Sequence, residues 1–144
     1  MAAPDPLDTS DREVLSDREV ADRFIEVFYR QNRLADAFSA WVHPHYIQHD
    51  PQAKTGRDGT IEALDAHMQR SPGMSHDVKR VIYGEAGDDG TLVAVHYHFR
   101  HAPDQRGMAV VDIFRIQDGY LAEHWDIIQP LPDPATAKNV NGMF

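Results

Sequence analysis

Five ionisable side chains lie in a part of the chain that otherwise reads as apolar β-strands: His96, His98, Asp112, His124 and Asp126. Burying such groups costs free energy unless they are paired or take part in chemistry. Carboxylates and imidazoles that converge in an apolar cavity are typical of acid–base catalysis on a small molecule. Whether these five can act together depends on which of them share one face of the sheet.

Strand alternation predicts these faces, because successive residues of a strand point to opposite sides. With a hairpin loop centred near Asp104, His96 lies opposite Asp112 and His98 lies opposite Val110. Directly paired residues project to the same side of a sheet. This register therefore predicts that both histidines share the face of Asp112.

The turn "QDG" decides the face of the last strand. A three-residue loop with Gly119 in the left-handed conformation places His124 and Asp126 on the face of Asp112. A two-residue loop would place Trp125 there instead. Under the favoured register the five ionisable groups share their face with three apolar side chains, those of Val110, Phe114 and Ile128.

The opposite assignment is a second interpretation, because polar strand residues often mark the solvent side of a sheet. In that case the ionisable groups face water. The core is then filled by the alternate set of strand residues: Val95, Tyr97, Phe99, Val111 and Ile113.

The elements that must position these residues are three helices followed by strands. Apolar residues at helical spacing predict a first helix from Asp17 to about Gln31, a second over 34–41 and a third ending near residue 70. Ser16 followed by Glu19 is a capping pattern for the first helix. Four alternating segments after Ser75 predict an antiparallel meander. This order predicts an α+β fold with a curved antiparallel sheet wrapped around the helices.

Composition narrows the classes of function. We expect a flexible lead-in over residues 1–15 and one domain over residues 16–144. The net charge of −9 argues against binding to nucleic acids or anionic membranes. The chain has no cysteine, signal-peptide pattern or membrane-spanning run, so we expect a cytoplasmic protein.

Three segments carry a family resemblance: "YIQHDP", "GMAVVDIFRIQDGYLAEHWDIIQPLP" and "NVNGMF". They resemble the SnoaL-like branch of the nuclear transport factor 2-like superfamily, and within it the SnoaL-like aldol-condensation enzymes. The similarity runs from about Phe24 to residue 144. It implies a cone-shaped α+β barrel, a deep pocket between the sheet and three N-terminal helices, and a homodimer.

The resemblance also implies roles for single residues. Asp112 matches the aspartic acid with which ketosteroid isomerase donates a hydrogen bond to an enolate, and Asp50 matches the segment that holds the base of that enzyme. Asp126 is similar to the acid of limonene epoxide hydrolase. Phe24 stands where the isomerase has a tyrosine, and histidines stand where the hydrolase has Arg and Asp. These departures argue against both of those reactions.

We therefore expect a cofactor-independent enzyme that performs aldol condensation or cyclisation on a small polyketide-like or carbonyl substrate. The expected catalytic residues are Asp112, Asp126, His124 and Asp50. The expected substrate-binding residues are His49, His96, His98, Phe24, Val110, Phe114 and Ile128. The alternatives are a non-catalytic module that binds a small apolar ligand, and isomerase or epoxide-hydrolase-type chemistry on the same fold.

Two further expectations concern metal and assembly. His96 and His98 have metal-ligand spacing, which His49, His124 or Asp126 could complete. Because the family fold works without metal, we expect no metal and no cofactor. If the ionisable face lines the pocket, the other face is an apolar surface that predicts a two-fold homodimer; its residues are Val95, Tyr97, Val111, Ile113 and Trp125.

Overall fold

A computed structural model describes residues 2–144 of the chain. Its helices are α1 (Asp17–Ile25), α2 (Leu34–Trp41) and α3 (Arg57–Arg70), and α1 continues as a π-helical segment (Glu26–Arg30). Its strands are β1 (Val42–Gln48), β2 (Ser75–Glu85), β3 (Thr91–Arg100), β4 (Met108–Gln117) and β5 (Tyr120–Pro130). None of the helices in residues 2–144 is long and apolar enough to cross a lipid bilayer.

The first helix begins where the capping pattern predicts. The Ser16 side chain accepts a hydrogen bond from the backbone of Glu19, and the Glu19 carboxylate accepts one from the backbone of Ser16. From this start, α1 buries Val20, Phe24 and Ile25. The wider π-helical turns that follow allow three consecutive residues, 27–29, to be buried as well.

The five strands form one sheet in the order β1-β5-β4-β3-β2. The three pairings among β2 to β5 are antiparallel, as the meander predicts. The sheet is nevertheless mixed, because β1 pairs with β5 in parallel. The "HYIQHDP" segment, read as a short extended piece, thus belongs largely to this edge strand, and it brings Gln48 beside His124. The α+β fold class is confirmed.

The core lies between the helices and the concave face of the sheet. Trp41, Phe24, Val93 and Val95 are fully enclosed there. The lead-in predicted to be flexible makes specific contacts, since the Trp41 indole donates a hydrogen bond to the carbonyl of Pro6 at 2.8 Å. A cavity remains between α3 and the sheet, and the concave face forms one wall of it.

Candidate active site

The register between β3 and β4 differs from the predicted one by one residue. Asp112 lies opposite Val95, and His96 lies opposite Val111. Because the side-chain period of a strand is two, this shift moves every side chain of β3 to the other face. The placement of His96 and His98 in the pocket is therefore wrong.

Both histidines lie on the outer face. His96 Nδ1 contacts the Arg80 guanidinium, and His98 Nε2 bonds the carbonyl of Arg106 at 2.7 Å. The ring of Phe144 packs against both imidazoles, with centroids 5.4 and 4.9 Å away. Val95 and Tyr97, expected on the dimer face, instead fill the concave side.

His49 is also outside the cavity. Its ring stacks on the outer-face ring of Trp125, with centroids 5.0 Å apart and an interplanar angle of 2°. Its Nε2 lies 2.7 Å from the Glu123 carboxylate. The next residue, Asp50, does line the cavity.

The face of β5 agrees with the favoured register, although the turn does not. Asp118 and Gly119 both have positive φ, of 53° and 79°, which is the geometry of a two-residue hairpin turn. A bulge at Ala122 adds one residue to β5, because Ile116 pairs with residue 121 whereas Arg115 pairs with residue 123. The bulge returns the following residues to the predicted face, where Asp126 lies opposite Asp112.

The centre of the site is a buried pair formed by Asp112 and His124. Oδ1 of Asp112 lies 2.9 Å from Nε2 of His124, and Oδ2 accepts a hydrogen bond from the Tyr29 hydroxyl at 2.5 Å. The side chains of the pair are 8% and 10% exposed. Burial raises the pKa of Tyr29 well above its ordinary value, with the charge of Asp112 acting in the same direction. Tyr29 therefore stays a hydrogen-bond donor to Asp112.

Gln48 fixes the protonation of the other imidazole nitrogen. Its Oε1 accepts a hydrogen bond from the backbone N–H of Asp50 at 3.0 Å, and its Nε2 donates to the Tyr46 hydroxyl at 2.5 Å. The amide orientation is thereby determined. His124 Nδ1 lies 2.7 Å from the same Oε1, so Nδ1 must carry a hydrogen.

One proton is left for the contact between Nε2 of His124 and Oδ1 of Asp112. It sits on His124 as an imidazolium facing a carboxylate, or on Asp112 as an acid facing a neutral imidazole. Burial alone lowers the pKa of His124, but the hydrogen bond to Asp112 and the charges of Asp112, Asp126 and Asp50 together raise it. The imidazolium–carboxylate form is favoured.

Two further carboxyl groups, those of Asp126 and Asp50, lie beside the pair formed by Asp112 and His124. Burial and, after it, the nearby charge of Asp50 raise the pKa of Asp126 to about 6, against the opposing charge of His124. A like charge at close range disfavours the ionised form of Asp126. Asp126 thus titrates close to neutral pH, where a carboxylate is an effective base.

The cavity that holds these groups has a volume of about 650 Å³. Val110, Phe114 and Ile128 line it, as predicted. Phe24 does not line it. Phe24 is fully buried behind the wall, 5.2 Å from the ring of Phe114, and the helical hydroxyl that reaches the site comes from Tyr29 instead.

A metal site based on the outer-face histidines is not formed. Within residues 2–144, Asp112, His124 and Asp126 are the three side chains that could hold an ion, with ligand atoms within 4.8 Å of one another. An ion there would have to displace the proton between His124 and Asp112, and the raised pKa of His124 opposes this. The absence of a metal stays a prediction.

Sequence reasoning missed Tyr29, Tyr46, Gln48 and His76. Tyr46, Gln48 and Asp50 alternate in "YIQHD", so period two could have indicated that they share a face. Tyr29 carries no such signal. It lies five residues after Phe24, a spacing that does not return to the same face of an α-helix, and the π-helical segment makes the difference.

Known proteins share a sequence pattern and the fold with this chain. A sequence profile of the SnoaL-like domain matches residues 21–124. The chain belongs to the SnoaL-like family. No protein of curated function matches the sequence significantly.

Solved structures share the fold of this SnoaL-like chain. A cystatin-fold protein from Novosphingobium aromaticivorans superposes with a TM-score of 0.60 and 19% identity, covering 78% of this chain and 98% of that one. An NTF2-like protein from Cytophaga hutchinsonii gives 0.60 and 12%, covering 81% and 92%. IdmH from Streptomyces antibioticus, a proposed polyketide cyclase, gives 0.51 and 18%, covering 76% and 91%.

Proposed function

We propose that this SnoaL-like chain catalyses acid–base chemistry at a carbon next to a carbonyl, as an aldol condensation or cyclisation without a cofactor. The observation that carries the proposal is the 2.9 Å contact between His124 Nε2 and Asp112 Oδ1 on the cavity wall, with Asp126 beside it. Burial is the main cause that raises the pKa of Asp126 to about 6. Removal of a carbon-bound hydrogen needs a base and a nearby group that neutralises the developing enolate oxygen.

Asp126 is the proposed base. As it takes the proton from carbon, the carbonyl oxygen takes the proton held between His124 and Asp112, and an enol forms. The enol carbon then attacks a second carbonyl carbon and forms the new C–C bond. The oxygen of that second carbonyl takes the proton from Asp126, and the enol returns its proton to the pair. Every proton is restored at the end of the cycle.

Two tyrosines support this assignment. The Tyr29 hydroxyl holds Asp112 in place through Oδ2, so Oδ1 stays directed at His124. The Tyr46 oxygen accepts a hydrogen bond from Gln48, which leaves the hydrogen of its own hydroxyl free for an oxygen in the cavity. Burial raises the pKa of Tyr46 well above its ordinary value, so it remains a donor.

The test is hydrogen–deuterium exchange next to the carbonyl of benzylacetone, followed by proton NMR in deuterated buffer. The wild-type protein is expected to accelerate the exchange, and Asp126→Asn is expected to abolish that acceleration. Asp77→Asn is the matched control, since Asp77 is an exposed carboxylate paired with Lys79 on the outer face. An acyclic diketone that can close a six-membered ring then tests C–C bond formation.

Equal exchange rates in all three proteins would refute the assignment. A module that only binds small ligands is the alternative with the same cavity, and it predicts binding of benzylacetone without exchange.

We also propose that the chain acts as a homodimer through the outer face of the sheet. Ile82 and Ile127 are 58% and 60% exposed on that face.

A further inference from the structure

His76 is a cavity-lining histidine that the proposed reaction does not use. It lies on β2 opposite Phe99, on the concave face, and its ring packs among aromatic side chains. The ring centroids of Phe99 and Tyr97 are 5.1 and 5.5 Å away, and that of Tyr29 is 5.9 Å away. Tyr29 bonds Asp112 directly, so aromatic rings separate His76 from the proposed reaction centre.

The tautomer of His76 is fixed by Asn32. The Asn32 Nδ2 group donates a hydrogen bond to the carbonyl of Met74 at 3.1 Å, so its Oδ1 is the atom that faces His76. His76 Nδ1 lies 2.8 Å from this Oδ1 and must therefore carry a hydrogen. Asn32 has a positive φ of 55°, a conformation that asparagine tolerates better than most residues.

The other nitrogen of His76 has no protein partner. Its Nε2 makes no hydrogen bond within residues 2–144, and it is not enclosed either, since the one enclosed and unpartnered side-chain nitrogen in that range is Nε of Arg100. Burial lowers the pKa of His76 to about 4; the charge of Asp112 opposes this in part, and His67 adds to it. At neutral pH, Nε2 is a bare acceptor on the cavity wall.

This acceptor, Nε2 of His76, can bind only a ligand group that donates a hydrogen bond. A ketone oxygen cannot donate a hydrogen bond, whereas an enol, alcohol or phenol hydroxyl can. Such a low pKa also makes His76 a poor base for carbon-bound hydrogen, because an effective base titrates near the working pH. Its chemistry suits recognition of a hydroxyl group.

We propose that Nε2 of His76 accepts a hydrogen bond from a substrate hydroxyl, so that the site selects hydroxylated carbonyl compounds. The reacting carbonyl then lies at His124 and Asp112, and the hydroxyl lies at the far side of an aromatic ring or a chain of similar length. This inference rests on the proposed function for the position of the carbonyl.

The test uses a matched pair of ligands, para-hydroxybenzylacetone and its methyl ether, para-methoxybenzylacetone. Dissociation constants are measured by calorimetry at neutral pH. Wild type is expected to bind the phenol roughly tenfold more tightly, the usual effect of one net hydrogen bond. In His76→Phe, which keeps an aromatic ring but has no acceptor, the two constants are expected to be equal.

A second variant acts without altering the cavity wall. Asn32→Asp keeps an acceptor at Nδ1 and a residue type that tolerates positive φ, but its charge raises the pKa of His76 and favours protonation of Nε2. The preference for the phenol should be lost. His96→Phe is the matched control on the outer face, and it should keep the wild-type preference.

Nitrogen-15 NMR of the ligand-free protein checks the tautomer directly, with Nε2 expected to be unprotonated at neutral pH. Four results would overturn the proposal: a protonated Nε2, equal binding of both ligands by wild type, binding of neither, or an unchanged preference in His76→Phe. The preference without any deuterium exchange would refute the proposed function and still support the hydrogen bond between His76 and the ligand hydroxyl. Exchange without the preference would do the reverse.

Discussion

The two faces of the sheet carry similar residue types in opposite electrostatic surroundings. On the concave face, burial alone lowers the pKa of His124, but the bond to Asp112 and three nearby carboxylates raise it. On the outer face, partial burial lowers the pKa of His96, and the charges of Arg80 and Lys79 lower it further. The charged groups around each histidine therefore determine whether its imidazole can be protonated and act as an acid in catalysis.

The largest expected difference between the two faces comes from replacing one histidine on each of them. His124→Asn should lower the rate of deuterium exchange in benzylacetone by roughly 10²–10⁴-fold, the usual contribution of a positioned acid–base group. His98→Asn should change it less than about twofold, since His98 bonds only a loop carbonyl and packs on Phe144. Circular dichroism melts of both variants would show that each is folded. Equal losses would remove the distinction between the faces.

The oligomeric state of the protein tests the proposed dimer surface on the outer face. Its exposed apolar residues, Ile82 and Ile127, lie in a surface with Trp125 that a homodimer would bury. Ile127→Glu places a charge at each of two symmetry-related positions, and we expect the dimer dissociation constant to rise by roughly 100-fold. Light scattering over a range of micromolar concentrations measures this. Val14→Glu, at an exposed position in the lead-in and outside the sheet, is the control, and a wild-type monomer would contradict the prediction.

The sequence predicts the elements of both faces well and the pairing of the strands less well. Alternation and turn residues indicate β2 to β5 within a few residues, because local chemistry sets them. The β3–β4 register fails since seven residues, 101–107, connect the two strands, and so long a loop does not fix its register. Because of this one-residue error, His96 is predicted on the pocket wall, whereas Tyr97 lies there in the structure.

The face of β5 is predicted correctly, although the predicted turn differs from the observed one. The expected loop had three residues, whereas the structure has two plus a bulge at Ala122, and both arrangements add one residue to the hairpin. His124 and Asp126 consequently reach the predicted face. Tyr29 could not be found in this way, because its contact with Asp112 depends on a π-helical segment that no spacing rule indicates.

The pH dependence of exchange also distinguishes the two faces of the sheet. Asp126 must be ionised to act as a base, so the rate should rise with pH up to its pKa of about 6. The proton of His124 is required as well, so the rate should fall again above the raised pKa of that imidazole. On each limb the change approaches about tenfold per pH unit. His96→Gln on the outer face should leave both limbs in place, and a profile without the acid limb would exclude Asp126 as the base.

The smallest expected effect is on stability. The folded chain holds the proton of Asp126 more tightly than the unfolded chain does, with a pKa of about 6 against an ordinary 3.8. This contribution to stability is complete below the unfolded value and is lost as the pH rises through the folded one. At about pH 7.5, Asp126→Asn should therefore raise the free energy of unfolding by about 1 kcal/mol, after allowance for solvent screening.

Urea unfolding of Asp126→Asn at two pH values measures this gain, which should shrink at about pH 5 where the wild-type carboxyl is protonated. Asp77→Asn on the outer face should show no gain, since the bond to Lys79 lowers the pKa of Asp77. A variant that loses activity while gaining stability is typical of functional groups held in unfavourable surroundings. A loss of stability in Asp126→Asn at the higher pH would contradict this account.

The bulge at Ala122 has an evolutionary consequence. One residue without a functional side chain decides which of two alternating sets of β5 enters the cavity: the set with His124, Asp126 and Ile128, or the set with Glu123, Trp125 and Ile127. Loss of a single codon at this hairpin would exchange one set for the other. New pocket chemistry could therefore arise in descendants of this chain by insertion or deletion, with every side chain it needs already encoded on the opposite face.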